Sequence, residues 1–341
     1  MTAVATGTAK KPRSASSARP VRRLGRRTLR GRATALALRA LSAVLRPLPD
    51  GPLHRIADML GGALNRAQPA RRRLVRANLE RVVTWLAANG LGSDQIRAAA
   101  ADPSKLDRLV RQAFGHYVRG YLEGSILPAY AAPDRLDRVQ PDDPSTMARA
   151  FAPTTTDGKP RPLIIVGLHF GAIEIPALWA TRKLGHKITA PMETIADPDV
   201  QSYFERSRGA TGFTVIPVEQ AATSLRAALS RGETVALVAD RPVGGSGTAV
   251  ELFGSPARLP IGPAVLALET GAPAWVVATR RVGWNAYSSR LEEVEMPSEG
   301  PRRQRLAAFV ANQARAFERA VADAPEQWWS LFFPIWADIQ A

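Results

Sequence analysis

Residues 163–174 read Leu-Ile-Ile-Val-Gly-Leu-His-Phe-Gly-Ala-Ile-Glu, and this stretch decides the fold class. A short apolar run rich in β-branched residues predicts a strand that is buried in a sheet. Glycines interrupt the run, so we expect His169 where the strand ends. Glu174 then falls in the first turn of a predicted helix.

The chain after Arg161 repeats this order of strand and helix. Strands are predicted at 162–168, 187–191, 213–218, 234–239 and 273–279. Helices are predicted at 173–184, 198–209, 219–231, 262–270 and 302–322, and the segment 286–295 is a candidate antiparallel edge strand. This alternation predicts an α/β fold with a mostly parallel central sheet, flanked by helices on both faces.

The preceding part of the chain is predicted to be helical. Helical patterns occupy residues 52–66, 69–88, 93–101 and 104–126. A further helix, 32–48, places Arg32, Arg39 and Arg46 on one face and most of its leucines on the opposite face. It is shorter than the roughly 20 apolar residues of a membrane span. We expect it to lie in a membrane interface, the alternative being an ordinary surface helix packed on the core.

Four segments follow from these patterns. We predict a basic, disordered arm, then N-terminal helices that include the amphipathic membrane-interface helix, then a connecting loop, then the α/β core. Their bounds are 1–31, 32–130, 131–161 and 162–341.

The net charge of +16 is concentrated at the N-terminus. Before Asp50 there are 12 basic residues and no acidic ones, which leaves +4 for the rest. Such a cationic arm suits the anionic surface of a membrane or a nucleic acid, and a solvated tail is the simplest alternative. There is no cysteine, which excludes disulfides, thiolate metal sites and a cysteine nucleophile.

Two strand ends carry the residues suited to chemistry. His169 follows the strand 162–168, where a ligand of an open α/β sheet would bind. We predict that His169 is a general base and that Glu174 holds its Nδ1–H group. Asp240 and Arg241 follow the strand 234–239 and should face the same crevice. On spacing alone, a structural histidine at a strand end is the alternative.

With these residues, the chain resembles the lysophospholipid acyltransferase-like superfamily, in the branch of the lipid A late acyltransferases and phosphatidylinositol mannoside acyltransferases. The resemblance runs from about Arg71 to Trp336. Its motifs are the block from His169 to Glu174, Ala239-Asp240-Arg241 with Glu251-Leu252-Phe253-Gly254, the stretches 260–264 and 269–273, Ala324-Pro325-Glu326-Gln327-Trp328-Trp329, and the upstream segment 71–79.

The resemblance implies transfer of a fatty acyl group from acyl-coenzyme A or acyl carrier protein to a hydroxyl of a membrane glycolipid. The acceptor is either phosphatidylinositol mannoside-like or lipid A-like. His169 would be the base and Glu174 its partner. Either Arg206 or Arg208, together with Asp240 and Arg241, would bind substrate or order the site. Glu251 would approach His169.

The residues themselves agree with direct transfer. Without a cysteine or a Gly-x-Ser-x-Gly elbow, a covalent acyl-enzyme is disfavoured. The acyl thioester is a co-substrate, and no cofactor or metal is required.

The cationic arm, the amphipathic helix and the resemblance together lead us to expect a peripheral enzyme of the bacterial inner membrane, on its cytoplasmic face, with no nucleic-acid partner. The alternatives are a nucleic-acid-associated protein acting through its arm, and a non-catalytic acyl-lipid-binding protein.

Overall fold

The computed structural model describes residues 25–154, 158, 160–242, 247–284 and 286–339. The prediction that the arm is disordered therefore lies outside the described residues for positions 1–24. Helix α1 begins at Leu29, three residues before the predicted start. The side chain of Thr28 accepts a hydrogen bond from the Gly31 N–H group and so caps this helix.

The predicted N-terminal helices are present, and cap residues and prolines set where most of them begin. Ser93 and Asp102 accept hydrogen bonds from backbone N–H groups of the helices that follow them. Pro69 and Pro103 occupy first positions, where a missing N–H group costs nothing. The bounds are α1 Leu29–Leu45, α2 Asp50–Ala67, α3 Pro69–Ala88, α4 Asp94–Ala101 and α5 Pro103–Ser125.

The expectation of a plain connecting loop over 131–161 is wrong. The segment contains helix α6 (Pro133–Leu136), strand β1 (Val139–Pro141) and helix α7 (Pro144–Ala150). Each element is too short to show a periodic pattern in sequence. Strand β1 forms because a neighbouring strand accepts it as a parallel partner, and that partner lies almost 150 residues further along the chain.

The central sheet has seven strands in the order β1-β9-β8-β2-β5-β3-β4. All neighbouring pairs are parallel except β8 with β9. The antiparallel strand predicted at 286–295 is therefore confirmed, but β1 covers its outer side and forms the edge. The remaining bounds are β2 Leu163–Gly167, β3 Ile188–Met192, β4 Phe213–Pro217, β5 Thr234–Val238, β8 Ala274–Arg281 and β9 Tyr287–Glu293.

Helices cover both faces of the sheet, as the alternation predicts. Successive residues of β2 enter two different apolar clusters. Ile164 and Val166 belong to one cluster, and Leu163 and Ile165 belong to the other. This separation follows from the two-residue period of a strand. The helices of this part of the chain are α8 Ile175–Leu184, α9 Pro198–Gly209, α10 Ala221–Ser230, α11 Gly262–Thr270 and α12 Arg302–Ala322.

A hairpin of strands β6 (Thr248–Leu252) and β7 (Ser255–Leu259) packs against α12 and was not predicted. Its two-residue turn consists of Phe253 and Gly254, both with positive φ angles. Such turns normally begin with Asn, Asp or Gly, so the sequence lacks the usual signal. Phe253 takes this conformation while its ring is buried between Trp85 and Trp328. In the described ranges, no helix is both long and apolar enough to cross a bilayer.

Candidate active site

The site lies where β2 and β5 end, side by side at the centre of the sheet. Gly167 pairs with Val238 in register, so positions 169 and 240 each stand two residues beyond the last pair. The Ala239 N–H group donates to the Gly167 carbonyl at 2.9 Å and extends this pairing. Neighbouring parallel strands thus bring together two side chains that are 71 positions apart.

His169 and Asp240 form a hydrogen-bonded dyad. The Nδ1 atom of His169 lies 2.7 Å from Oδ1 of Asp240, and the backbone N–H group of His169 donates to Oδ2 at 3.1 Å. The prediction that Glu174 holds Nδ1 is therefore wrong. The prediction relied on the short distance in sequence between His169 and Glu174. In the structure, strands β2 and β5 are neighbours, so Asp240 is the partner. The predicted neighbourhood of His169 and Asp240 is confirmed.

Asp240 is fully buried, yet it stays ionised. Burial alone raises its pKa, but the charge of His169 and the hydrogen bonds from His169, Ser330 and Trp328 outweigh this and lower the pKa to about 2. A carboxylate can only accept hydrogen bonds. When the imidazole is neutral, its proton therefore resides on Nδ1, and Nε2 keeps a lone pair.

Two residues that the sequence did not identify as functional complete the dyad. Trp328 Nε1 and Ser330 Oγ donate to Oδ2 of Asp240 at 2.8 and 2.7 Å. Trp328 belongs to a motif of the family resemblance, which gives it no role, and Ser330 adjoins that motif. Neither carries a spacing signal, because each lies about 90 residues from Asp240 and reaches it only through the tertiary fold.

The loop that carries His169 is held between β8 and the segment 327–329. Gly171 donates its N–H to the Gln327 carbonyl at 3.0 Å, and Ala172 donates to Thr279 at 2.9 Å. The Trp329 N–H group donates to the His169 carbonyl at 2.7 Å. His169 is thus fixed through its own carbonyl, its own N–H group and its ring, which leaves a partly exposed edge for a substrate.

Glu174 has a different partner, Arg208 of α9. Its Oε1 accepts hydrogen bonds from Nη2 and Nε of Arg208 at 2.6 and 3.2 Å. A third nitrogen of Arg208, Nη1, lies 2.8 Å from Sδ of Met192. Of the two predicted arginines, Arg208 therefore contacts another predicted site residue, Glu174, while Arg206 is exposed. The pair ties the beginning of α8 to α9 beside the His169 loop.

We expect the change Glu174→Gln to lower kcat by at most about tenfold. The glutamine keeps an oxygen that can accept a hydrogen bond from Arg208. It loses the negative charge, and hydrogen bonds to charged groups are worth about 1.5–3 kcal/mol. The measurement is the pH dependence of the reaction that the resemblance implies, the transfer of an acyl group. Glu205→Gln is the matched control, because Glu205 is an exposed acid of α9, the helix that carries Arg208. A loss as large as that of a dyad variant would contradict this role for Glu174.

Arg241 lies at the rim of the site, and Glu251 lies elsewhere. The guanidinium of Arg241 stands 4.6 Å above the Phe333 ring, and its Nη2 is 3.5 Å from Oε1 of Glu193. Glu251 is an exposed residue of β6, opposite Pro256 in the hairpin. Among the described residues, the hydrogen bond of the His169 ring goes to Asp240. No hydrogen bond there joins His169 to Glu251, so the predicted approach of Glu251 to His169 is not seen.

The dyad lies within the part of the chain that matches a known protein family. The family model described as bacterial lipid A biosynthesis acyltransferase matches residues 155–336, just over half of the chain. A phosphatidylinositol mannoside acyltransferase of Mycobacterium tuberculosis (strain ATCC 25618 / H37Rv) is 32% identical over 108 residues, 30% of this chain and 34% of that protein. One of Mycolicibacterium smegmatis is 27% identical over 201 residues, 55% of this chain and 62% of that protein. The chain thus matches less than two thirds of the length of either relative.

Proposed function

Because the chain belongs to the bacterial lipid A biosynthesis acyltransferase family, we propose that it moves a fatty acyl group from acyl-coenzyme A or acyl carrier protein to a hydroxyl of a glycolipid. The names of the two mycobacterial relatives favour a phosphatidylinositol mannoside-like acceptor over a lipid A-like one. The observation that carries the proposal is the His169–Asp240 dyad, in which Nδ1 faces the carboxylate and Nε2 is left for a substrate at the carboxyl edge of the sheet.

The dyad supports direct transfer with His169 as the base. Nε2 removes the proton of the acceptor hydroxyl while that oxygen attacks the thioester carbonyl. Asp240 stabilises the imidazolium that forms. The tetrahedral intermediate collapses with cleavage of the carbon–sulfur bond, and the imidazolium returns its proton to the leaving thiolate. The ester and the free thiol are the products, and no acyl-enzyme is formed.

The exposed apolar side chains of α1 support a peripheral place at a membrane surface, and we propose its cytoplasmic face. Gly31, Ala35 and Leu45 are buried along the stripe that faces the protein, and α1 packs mainly against α9. On the free side, Leu36 and Val44 are each 66% exposed. A helix packed only on the protein would bury most of its large apolar side chains, whereas α1 buries Leu45 and leaves Leu36, Leu41 and Val44 exposed. Its arginines would meet anionic headgroups.

We expect the double change Leu36→Glu and Val44→Glu to weaken binding to anionic vesicles at least tenfold. It removes apolar area and adds two charges, each repelled by about 1 kcal/mol near an anionic surface. Sedimentation with phosphatidylglycerol vesicles measures the affinity. Leu184→Glu, which introduces the same charge at an exposed leucine of α8, should leave binding unchanged. Equal binding of the double variant and the unaltered protein would refute the membrane role of α1.

The activity itself is tested by incubating the full chain with palmitoyl-coenzyme A and vesicles that contain phosphatidylinositol mannoside. Mass spectrometry should show a glycolipid heavier by one acyl chain, with free thiol released in equal amount. Vesicles without the mannoside are the control and should release little thiol. Thiol release without any acylated lipid, or no reaction with either the coenzyme A or the carrier-protein thioester, would refute the proposal.

A further inference from the structure

Three aromatic side chains form a connected surface beside the dyad. Tyr117 and Tyr121 lie one turn apart on α5, and their hydroxyl groups are 3.1 Å apart. The ring of Tyr121 stacks on Trp329, with 6.0 Å between centroids and 23° between planes. Tyr117 meets Trp329 edge-on at 6.3 Å. We call these three residues the aromatic platform.

One ring of the platform stays open, while Tyr117 and Trp329 are half-buried. Tyr121 is 55% exposed, which is unusual for an aromatic residue that already has two aromatic neighbours. An exposed ring of this size forgoes the favourable burial of its apolar area. The exposure is therefore consistent with a surface that is covered when a ligand binds.

The local sequence is built to hold Trp329 in this place. A Cβ atom at Gly120 would lie 1.7 Å from Cζ2 of Trp329, so the indole can rest on α5 only because residue 120 is glycine. Buried Asn78 of α3 donates from Nδ2 to the carbonyls of Leu331 and Phe333 at 2.8 and 2.9 Å. These contacts fix the segment that follows Trp329.

The platform adjoins the reacting group. Trp329 donates its backbone N–H group to the carbonyl of His169 at 2.7 Å. Positive charge lies near the rings, because Arg241 follows the dyad carboxylate and its guanidinium stands 4.6 Å from the ring of Phe333, four residues after Trp329. A ligand on these rings would therefore lie near the catalytic base and near the cationic side chain of Arg241.

We propose that Tyr117, Tyr121 and Trp329 bind the sugar ring of the acceptor, with Arg241 positioned for an anionic group of the same headgroup. A pyranose ring has an apolar face of C–H groups, which suits an aromatic surface, and an edge of hydroxyl groups, which suits tyrosine hydroxyls and guanidinium groups. The platform would thus present one sugar hydroxyl to Nε2 of His169. This inference rests on the proposed acyl transfer to a glycolipid.

The test compares Tyr121→Ala and Tyr121→Phe in the full chain. Acceptor kinetics are measured with phosphatidylinositol mannoside in detergent micelles, so that vesicle binding does not limit the rate. We expect Tyr121→Ala to lower kcat/KM for the acceptor about tenfold, equivalent to about 1.4 kcal/mol, through KM. The kinetic parameters for palmitoyl-coenzyme A should change less than twofold. Tyr121→Phe, which keeps the ring, should retain most of the acceptor kcat/KM.

Trp284→Ala is the matched control, because Trp284 is an aromatic residue of similar exposure whose ring contacts Arg55 rather than the platform. An unchanged acceptor KM in Tyr121→Ala would overturn the inference. A Tyr121→Ala protein that binds vesicles more weakly in the sedimentation assay but keeps its acceptor kinetics in micelles would also overturn it. That result would identify the platform as a membrane contact. Absence of transfer by the unaltered protein would instead refute the proposed function, so the two failures are distinguishable.

Discussion

Asp240→Asn should reduce kcat by about 10³-fold while the protein stays folded. The reason lies in how the two carboxylate oxygens are used. Oδ2 accepts three hydrogen bonds, from the His169 N–H group, Trp328 Nε1 and Ser330 Oγ. In an asparagine, the amide oxygen must take this position, because an NH2 group there would face three donors.

The NH2 group of that asparagine then faces Nδ1 of His169 and donates to it. The imidazole proton moves to Nε2, so the atom that should accept the substrate proton already carries one. The variant thus fails through the wrong tautomer as well as through the loss of charge. His169→Gln and the double variant should fall to the same residual rate, because the two residues act as a unit.

The measurement is single-turnover acyl transfer with saturating thioester, alongside thermal unfolding. Asp107→Asn, an exposed acid-to-amide change on α5, is the control and should retain full activity. Additive losses in the double variant, or an Asp240→Asn enzyme within tenfold of the unaltered one, would be incompatible with this role for the dyad.

Gly171→Ala should lower activity at least about 10²-fold, because small displacements of a catalytic group are costly. Gly171 has a φ angle of +51°, and a Cβ atom there would lie 2.1 Å from the carbonyl oxygen of Thr279. That atom belongs to the backbone of β8 and cannot move aside. The loop must shift instead, and it carries His169 with it. The positive φ adds a strain of about 1–3 kcal/mol.

Gly185→Ala separates these two effects. Gly185 also has a positive φ angle, +71°, but a Cβ atom there would meet nothing within 4 Å. This variant should lose about 1 kcal/mol of unfolding free energy and keep its kcat. The comparison needs denaturant unfolding and initial rates for both proteins. Equal activity of the two alanine variants would show that the loop tolerates displacement.

The sequence predicts the sheet well because its signals are local. A run such as 163–167 is apolar at every position, so a strand buried on both faces is the simple interpretation, and helices between such runs require parallel pairing. Sequence also places His169 and Asp240 at strand ends. It does not reveal the strand order, and the order makes Asp240 rather than Glu174 the partner of His169.

The remaining differences also come from long-range contacts. Strand β1 exists because β9 pairs with it, although residues 139–141 have no strand signal of their own. The turn at Phe253 takes a positive φ angle because the ring is buried among tryptophans. Trp328 and Ser330 reach Asp240 from about 90 positions away. In each case tertiary packing overrides the local preference.

The dependence of the dyad on residues 327–330 has a consequence for the order of folding. Asp240 lies 71 positions from His169 and about 90 positions from its two donors, so separate long-range contacts must form before the site is complete. A chain whose strands β2 and β5 have paired already carries His169 and Asp240, yet lacks the donors that fix the carboxylate. The base becomes competent only when the segment docks, so a partly folded chain should not consume acyl thioesters.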